Sequence, residues 1–172
     1  MIAFVEFDKS LPRQGFDCGN ESLNSWFHTQ AGQQERANTA RTHLGLSTFD
    51  SCIASYFSLV TYRLEVDELQ RSRDFAGKKY PMSAMLLARL AVDKRYQGQR
   101  IGSLTLGHAL RLLAEASKQI GFEIVVVHAI DASAAAFYQK HGFEFLTDDG
   151  STLFLLTKTL VANLAIVQGG GN

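Results

Sequence analysis

A chain of 172 residues, 46% of them apolar, is long enough for one domain with a proper core and short for two. Lysine plus arginine and aspartate plus glutamate number 17 each, which excludes a global electrostatic pull toward nucleic acid or a membrane. Cys18 and Cys52 fit neither a metal-ligand spacing nor a disulfide framework, and no two histidines stand at i, i+4. No segment approaches the roughly 18 apolar residues of a membrane span and no signal sequence opens the chain, so the expectation is a cytoplasmic protein with reduced thiols and no metal.

In chain order, "IAFVEF" predicts a first strand, and residues 8–19 a loop holding Pro12 and Gly15. Asn20 is placed to cap a helix that carries Leu23, Trp26 and Phe27 on one side, with Trp26 as a core anchor. Residues 41–66, rich in β-branched and aromatic side chains, read as two strands of a hairpin broken at Asp50-Ser51. Asp67 to Ser83, polar and containing Gly77 and Pro81, reads as a long surface loop. "AMLLARLAV" predicts a strand, and a glycine turn then opens a helix reaching about Ile120, with Leu106, Ala109, Leu110, Leu113, Ala116 and Ile120 at helical spacing. Gly121 is placed to end that helix with a left-handed cap. "EIVVVHA" suits a strand buried on both faces, parallel to its neighbour. Asp131 caps a short helix, "ASAAAFYQKH", ended by Gly142, and "FEFL" and "TLFLLTKTL" close the domain as an antiparallel pair. The tail "QGGGN" reads as disordered. The element order predicts an α/β fold with a mixed sheet.

The charge is unevenly spread. Between Arg71 and Arg100 stand eight basic residues against Asp74 and Asp93, a local balance of +6 that suits either a solvated face or an anionic partner. The strand-turn-helix "RLAVDKRYQGQRIGS", residues 89–103, lies inside this stretch. Such a junction aims unpaired backbone N–H groups and a positive helix end at one point, where a phosphate can sit, although many junctions carry a glycine only to turn the corner.

"QGQRIG" at 97–102, followed about 30 residues later by "DASAAAFYQKHGF", resembles the acetyl-CoA-binding pattern of the GNAT superfamily of N-acetyltransferases. The resemblance covers residues 1–160, taken as one acetyltransferase domain, with 161–172 as a C-terminal tail. It implies the acyl-CoA N-acyltransferase fold: a mixed, mostly antiparallel sheet with a central splayed parallel pair, flanked by helices. It further implies that acetyl-CoA is held by Leu90, Ala91 and Val92 along the pantetheine arm, and by the backbone of Gln97, Gly98, Gln99, Arg100, Ile101, Gly102 and Ser103 at the pyrophosphate. Asp131, Ser133, Ala134 and Phe137 complete the cofactor site, and Tyr138 takes the place of the general acid. Two positions depart from the pattern: Arg100 stands where a glycine is usual, and Asp131 where an asparagine is usual. An arginine avoids positive φ, so the expectation is a right-handed helical Arg100 whose guanidinium reaches either a CoA phosphate or solvent.

No carboxylate announces itself as a base. Asp93 and His128 could serve, or could be a turn cap and a core histidine. A site without a dedicated base favours α-amines, with pKa near 7.7 to 8.0, over lysine at about 10.4. Within the superfamily, "FDCGNESLNSWF", "YFSLV", "YPMSAMLLARLAVD" and "VHAIDASAAAFYQKHGF" resemble the toxins of type II toxin-antitoxin systems that acetylate the amino acid on charged tRNA. That resemblance implies an aminoacyl-tRNA acceptor, a ribbon-helix-helix antitoxin as partner and a homodimer. It makes Arg36, Arg41, Lys78, Lys79 and Arg89 candidates for the tRNA surface. Two rivals stay open: an acetyltransferase for a small amine or protein N-terminus, and a non-catalytic acyl-CoA-binding subunit.

Overall fold

The computed structural model describes residues 1–169. The elements follow in order as β1 (Ile2–Glu6), α1 (Glu21–Thr29), α2 (Ala31–Arg36), β2 (Arg41–Ser47), β3 (Ile53–Leu64), α3 (Val66–Gln70), β4 (Met82–Val92), α4 (Ile101–Ala116), β5 (Ile124–His128), α5 (Ala132–Lys140), β6 (Glu144–Phe145), β7 (Thr152–Leu156) and α6 (Thr157–Gly169). A 3-10 turn, Lys94–Tyr96, follows β4. The strand order is β1-β2-β3-β4-β5-β7-β6. The β4–β5 pair is parallel, and β1–β2, β2–β3, β5–β7 and β6–β7 are antiparallel, which makes this the mixed, mostly antiparallel α/β fold that the sequence predicts. Packing divides the chain into two units, Met1–Val60 with Ala88–Ala109, and Thr61–Leu87 with the chain from Leu110 onward.

The first unit is built on the β1-β2-β3 meander. One face of β2 and β3 packs on α1, whose start is fixed by the Asn20 side chain accepting from the Leu23 N–H, a cap worth about 1 kcal/mol. Phe16, Trp26, Phe27, Leu44 and Tyr56 form its core, with the Phe27 and Tyr56 rings stacked at 4.2 Å. The Tyr56 hydroxyl donates to the Leu23 carbonyl at 3.0 Å, so the buried phenol keeps a partner. On the opposite face Thr105 of α4 bonds to Ser55 of β3, and Phe4 stacks on His108. Gly45 faces the same way and has no room for a side chain, because a Cβ there would strike Ser55 Oγ and crowd Ile2 and Phe4.

In the second unit β5 is "IVVVH" with its four apolar residues buried, in register with β4 from Ala84↔Ile124 to Leu87↔Val127. Leu64, Leu69, Met82, Ile124, Val126 and Phe154 fill its core.

Four expectations need correction. Asp67–Ser83 is not one long loop: α3 occupies its start, closed by a reciprocal capping box between Glu65 and Glu68 and anchored by the buried Leu69, and β4 begins at Met82. Helix α4 stops at Ala116, short of Ile120, which is 68% exposed. Its end is satisfied by tight bonds from Lys118 to Glu115 and from Gln119 to Ala116, so Gly121 is not needed as a left-handed cap and does not take that conformation. The "TKTL" end of the predicted last strand is the first turn of α6, which begins after the Thr157 N–H makes a last bond to the Glu123 carbonyl. Residues 161–169 continue α6, and of the "QGGGN" predicted to be disordered, 170–172 lie outside the described residues.

Candidate active site

The run from β4 to α4 gathers most of the predicted cofactor residues in the first unit. Alternation along β4 places Ala91 in the core, while Leu90 and Val92 are half-buried on the other face. Asp93 follows, 1% exposed, and caps the 3-10 turn by accepting from the Arg95 N–H. Burial by itself would push the Asp93 carboxyl up, but hydrogen bonds from Arg95 and from the Asp17 N–H outweigh it and hold the carboxyl below its usual range. Asp93 is therefore a structural carboxylate, not an available base. His128 is exposed at the end of β5 rather than a core residue, with Nδ1 at 3.2 Å from the Thr152 hydroxyl.

The turn itself contains two left-handed residues, Gly98 at φ 76° and Arg100 at φ 61°. The expected right-handed Arg100 is overturned: the arginine adopts the very conformation for which the motif ordinarily supplies glycine, at a cost of roughly 1–2 kcal/mol. The reason is geometric, because the chain must reverse sharply to send its amides along the axis of α4. Helix geometry leaves the N–H groups of Ile101 and Gly102 without intrahelical acceptors. The side-chain amides of Gln97 and Gln99 turn inward, donating to the Cys18 and Val92 carbonyls and to the Arg95 carbonyl respectively. What the turn presents outward is backbone, with open space beside Gly98 and the exposed Arg100 at its edge.

The second motif lies in the second unit. Asp131 caps α5 by accepting from the Ala134 N–H at 2.7 Å, so aspartate serves there as asparagine would. Ser133 is exposed and Phe137 half-buried, its ring 5.3 Å from that of Tyr138. Tyr138 is 7% exposed, packed edge-on against Phe143 at 5.5 Å, and burial pushes its hydroxyl pKa up to about 12. The proton is thus in place throughout the neutral range.

The five basic candidates differ in availability. Arg41 is paired with Glu35 at 2.9 Å and also bonds Asn38, and Lys78 is paired with Glu123 at 2.9 Å. Arg89 lies over the Trp26 ring, 4.1 Å from its centre, and desolvation lowers its pKa. Arg36 and Lys79 are exposed. Sequence reasoning missed the residues that anchor the turn from outside it: Asp17, Asn24 and Asp50, the last accepting from the Tyr96 hydroxyl at 2.6 Å. Only the "FDCGNESLNSWF" run pointed toward the first two of them.

Residues 64–145 match the family described as "Acetyltransferase (GNAT) domain". A tRNA-acetylating toxin of Mycobacterium tuberculosis (strain ATCC 25618 / H37Rv) is 40% identical over 78 residues, which span 45% of this chain and about half, 47%, of that relative. Among solved structures, a Tyr-to-Phe variant of KacT aligns with a TM-score of 0.85 and 28% identity over 94% of this chain and 98% of KacT. AtaT complexed with acetyl-methionyl-tRNAfMet aligns at 0.83 and 25% over 95% and 99%. A Tyr-to-Phe variant of AtaT bound to the C-terminus of the antitoxin AtaR aligns at 0.79 and 25% over 94% and 97%. The chain thus matches the GNAT acetyltransferase domain over residues 64–145, and over most of its length resembles the solved structures of KacT and AtaT.

Proposed function

We propose that this protein is an acetyl-CoA-dependent N-acetyltransferase toxin that acetylates the α-amine of the amino acid on charged tRNA and so blocks translation. The observation that carries the reading is the β4–α4 turn, where two left-handed residues and the start of a 16-residue helix direct backbone N–H groups to one open point. Open space beside Gly98, where a Cβ would meet nothing within 4 Å, fits a pyrophosphate approaching the backbone closely. Gly98 to Ser103 would hold that group, with Arg100 at its rim, and Leu90 to Val92 would hold the pantetheine arm. Asp131, Ser133, Ala134 and Phe137 complete the cofactor site. Acetyl-CoA, when bound, supplies an acyl group activated as a thioester.

Tyr138 is the general acid: a phenol that keeps its proton at neutral pH donates to the departing sulfur. Asp93, bonded to Arg95 and to the Asp17 N–H, is not free to take a proton from an ammonium group. An acceptor that is partly neutral by itself suits such a site, and an α-amine meets that condition. The M. tuberculosis relative is a tRNA-acetylating toxin, and AtaT has been solved with acetyl-methionyl-tRNAfMet, which supports an acceptor carried on tRNA. Arg36, Arg41, Lys78, Lys79 and Arg89 form the proposed tRNA surface, with Arg36 and Lys79 its most available members. The AtaT–AtaR structure supports an antitoxin as partner; we assign it a ribbon-helix-helix DNA-binding half, and the toxin a homodimeric state. Among the described residues no helix is long and apolar enough to cross a membrane, and a charged-tRNA acceptor places the activity in the cytoplasm.

The ion pairs that occupy Arg41 and Lys78, together with the net charge of zero, favour one rival: an acetyltransferase for a small amine or protein N-terminus. One assay separates the two. Labelled acetyl from acetyl-CoA is offered to total charged tRNA, deacylated tRNA, polyamines and peptides. Label confined to charged tRNA is expected, and label on amines or peptides instead would leave an acetyltransferase and remove the toxin. Tyr138→Phe is expected to cut turnover by about 100-fold or more with CoA affinity within a factor of about two. Equal loss of both would remove the acid role.

A further inference from the structure

Two left-handed residues within three positions are a conformation that a free loop would abandon, and strain of this kind persists where the surroundings over-determine it. The surroundings here are the "FDCGN" segment. The Lys94 N–H donates to the Asp17 carbonyl at 2.8 Å, and Lys94 Nζ reaches Asp17 Oδ2 at 2.9 Å. The Asp17 N–H donates to Asp93 Oδ2 at 3.0 Å, and the Gln97 side chain donates to the Cys18 carbonyl at 3.0 Å. The other Asp17 oxygen accepts from the Gly19 N–H and from Asn24 Nδ2, both at 2.8 Å, and Asn24 Oδ1 accepts from the Cys18 N–H at 2.9 Å.

Each letter of the segment after Phe16 then has a task. Asp17 supplies two acceptors facing opposite ways, and Cys18 contributes its backbone at both ends. Gly19, at φ 86°, leaves room for the Lys94 stem, whose Cε would lie 3.0 Å from any Cβ there. Asn20 starts α1, and Asn24 on α1 locks the loop to that helix.

We infer that Asp17, braced by Asn24 and joined to Lys94, is a positioning residue that fastens the cofactor turn to α1 and keeps its amides directed at the pyrophosphate. The inference rests on the proposed acetyl-CoA site. It assigns Asp17 no contact with cofactor or acceptor.

The test uses Asp17→Ala, Lys94→Met and the double variant in the full chain, with CoA and its pantetheine fragment, which lacks the pyrophosphate, as ligands in calorimetry. Both side chains are more than half exposed, at 53% and 59%, so the core does not depend on either. Each single variant is expected to weaken CoA about tenfold, to leave pantetheine within about twofold, and to speed amide exchange at residues 94–98 in the ligand-free protein. The double variant is expected to be no worse than the poorer single one, as for two ends of one link. Unchanged CoA affinity with unchanged exchange would overturn the inference, and so would equal weakening of CoA and pantetheine, the mark of general loosening. If the unaltered protein itself fails to bind CoA, the acetyltransferase reading falls and the inference with it. Wild-type binding with indifferent variants removes the inference alone.

Discussion

Arg100 is the residue at which physical cost and proposed use can be separated. Its φ of 61° is one that glycine adopts freely, so Arg100→Gly removes the strain while adding chain entropy to the unfolded state. The difference is a gain of up to about 1 kcal/mol, or a rise in the thermal midpoint of about 2–4 °C for a chain of this size. If the guanidinium at the edge of the turn serves a CoA phosphate, the same variant binds CoA a few-fold more weakly. A stabler protein with weaker CoA binding is the expected result, read by calorimetry on one sample, and a lower midpoint would contradict the strain argument. That a glycine turn stands here was legible in "QGQRIG". That an arginine takes a glycine's conformation was not, because no local preference of arginine encodes it. Hydrogen bonds hold the Asp17 carboxyl down to about 2, first through Lys94, then through Gly19 and Asn24. A depressed pKa contributes stability that is complete above the ordinary value of 3.8 and disappears as pH falls through about 2, so the link persists through the mildly acidic range.

At the scale of elements, the long ones were legible and the short or shared ones were not. β3, β4 and α4 carry enough residues for period and composition to agree, and their existence and type follow from sequence. α3 has five residues and a single buried anchor, Leu69, too few to show any period. "TKTL" alternates as a strand would, yet the spacing of Leu160 and Leu164 is equally that of one helix face, and only the end of the β7 ladder decides between them. The β2–β3 pair contains a feature that no periodicity shows, a register shift between Gly45 and Leu46. Gly45 sits at that shift facing Ser55, whose hydroxyl is held by Thr105 of α4, so a methyl group there must displace a bonded side chain. Gly45→Ala is expected to destabilise by about 1–3 kcal/mol, a drop of several degrees in the melting midpoint. A midpoint unchanged within one degree would mean that Ser55 swings aside without loss.

For the molecule as a whole, sequence gave the sign of the basic stretch but not its availability. Ion pairing is a property of the folded surface, and Lys78–Glu123 and Arg41–Glu35 join residues whose charges no count along the chain would match. With net charge zero and few unpaired candidates, charged-tRNA turnover is expected to fall only about tenfold between 50 and 200 mM salt, the dependence of roughly two phosphate contacts. Lys79→Ala and Arg36→Ala are each expected to lower kcat/KM on charged tRNA a few-fold and to flatten the salt dependence, with Lys78→Ala weaker than either. A hundredfold salt effect, or no effect of Lys79 and Arg36, would place the RNA on other residues. The turn proposed to hold the cofactor was legible as a turn because backbone geometry leaves a glycine signature, whereas the side chains that bond to it come from dozens of residues away.

Trp26 is the sole tryptophan, stacked on Tyr56 and with the Arg89 guanidinium 4.1 Å from its ring centre. The protein therefore carries a single indole fluorophore, with one of the acceptor candidates against its ring. On the proposed tRNA surface, an anionic substrate meeting Arg89 would become an optical event, to be followed in time on unlabelled protein.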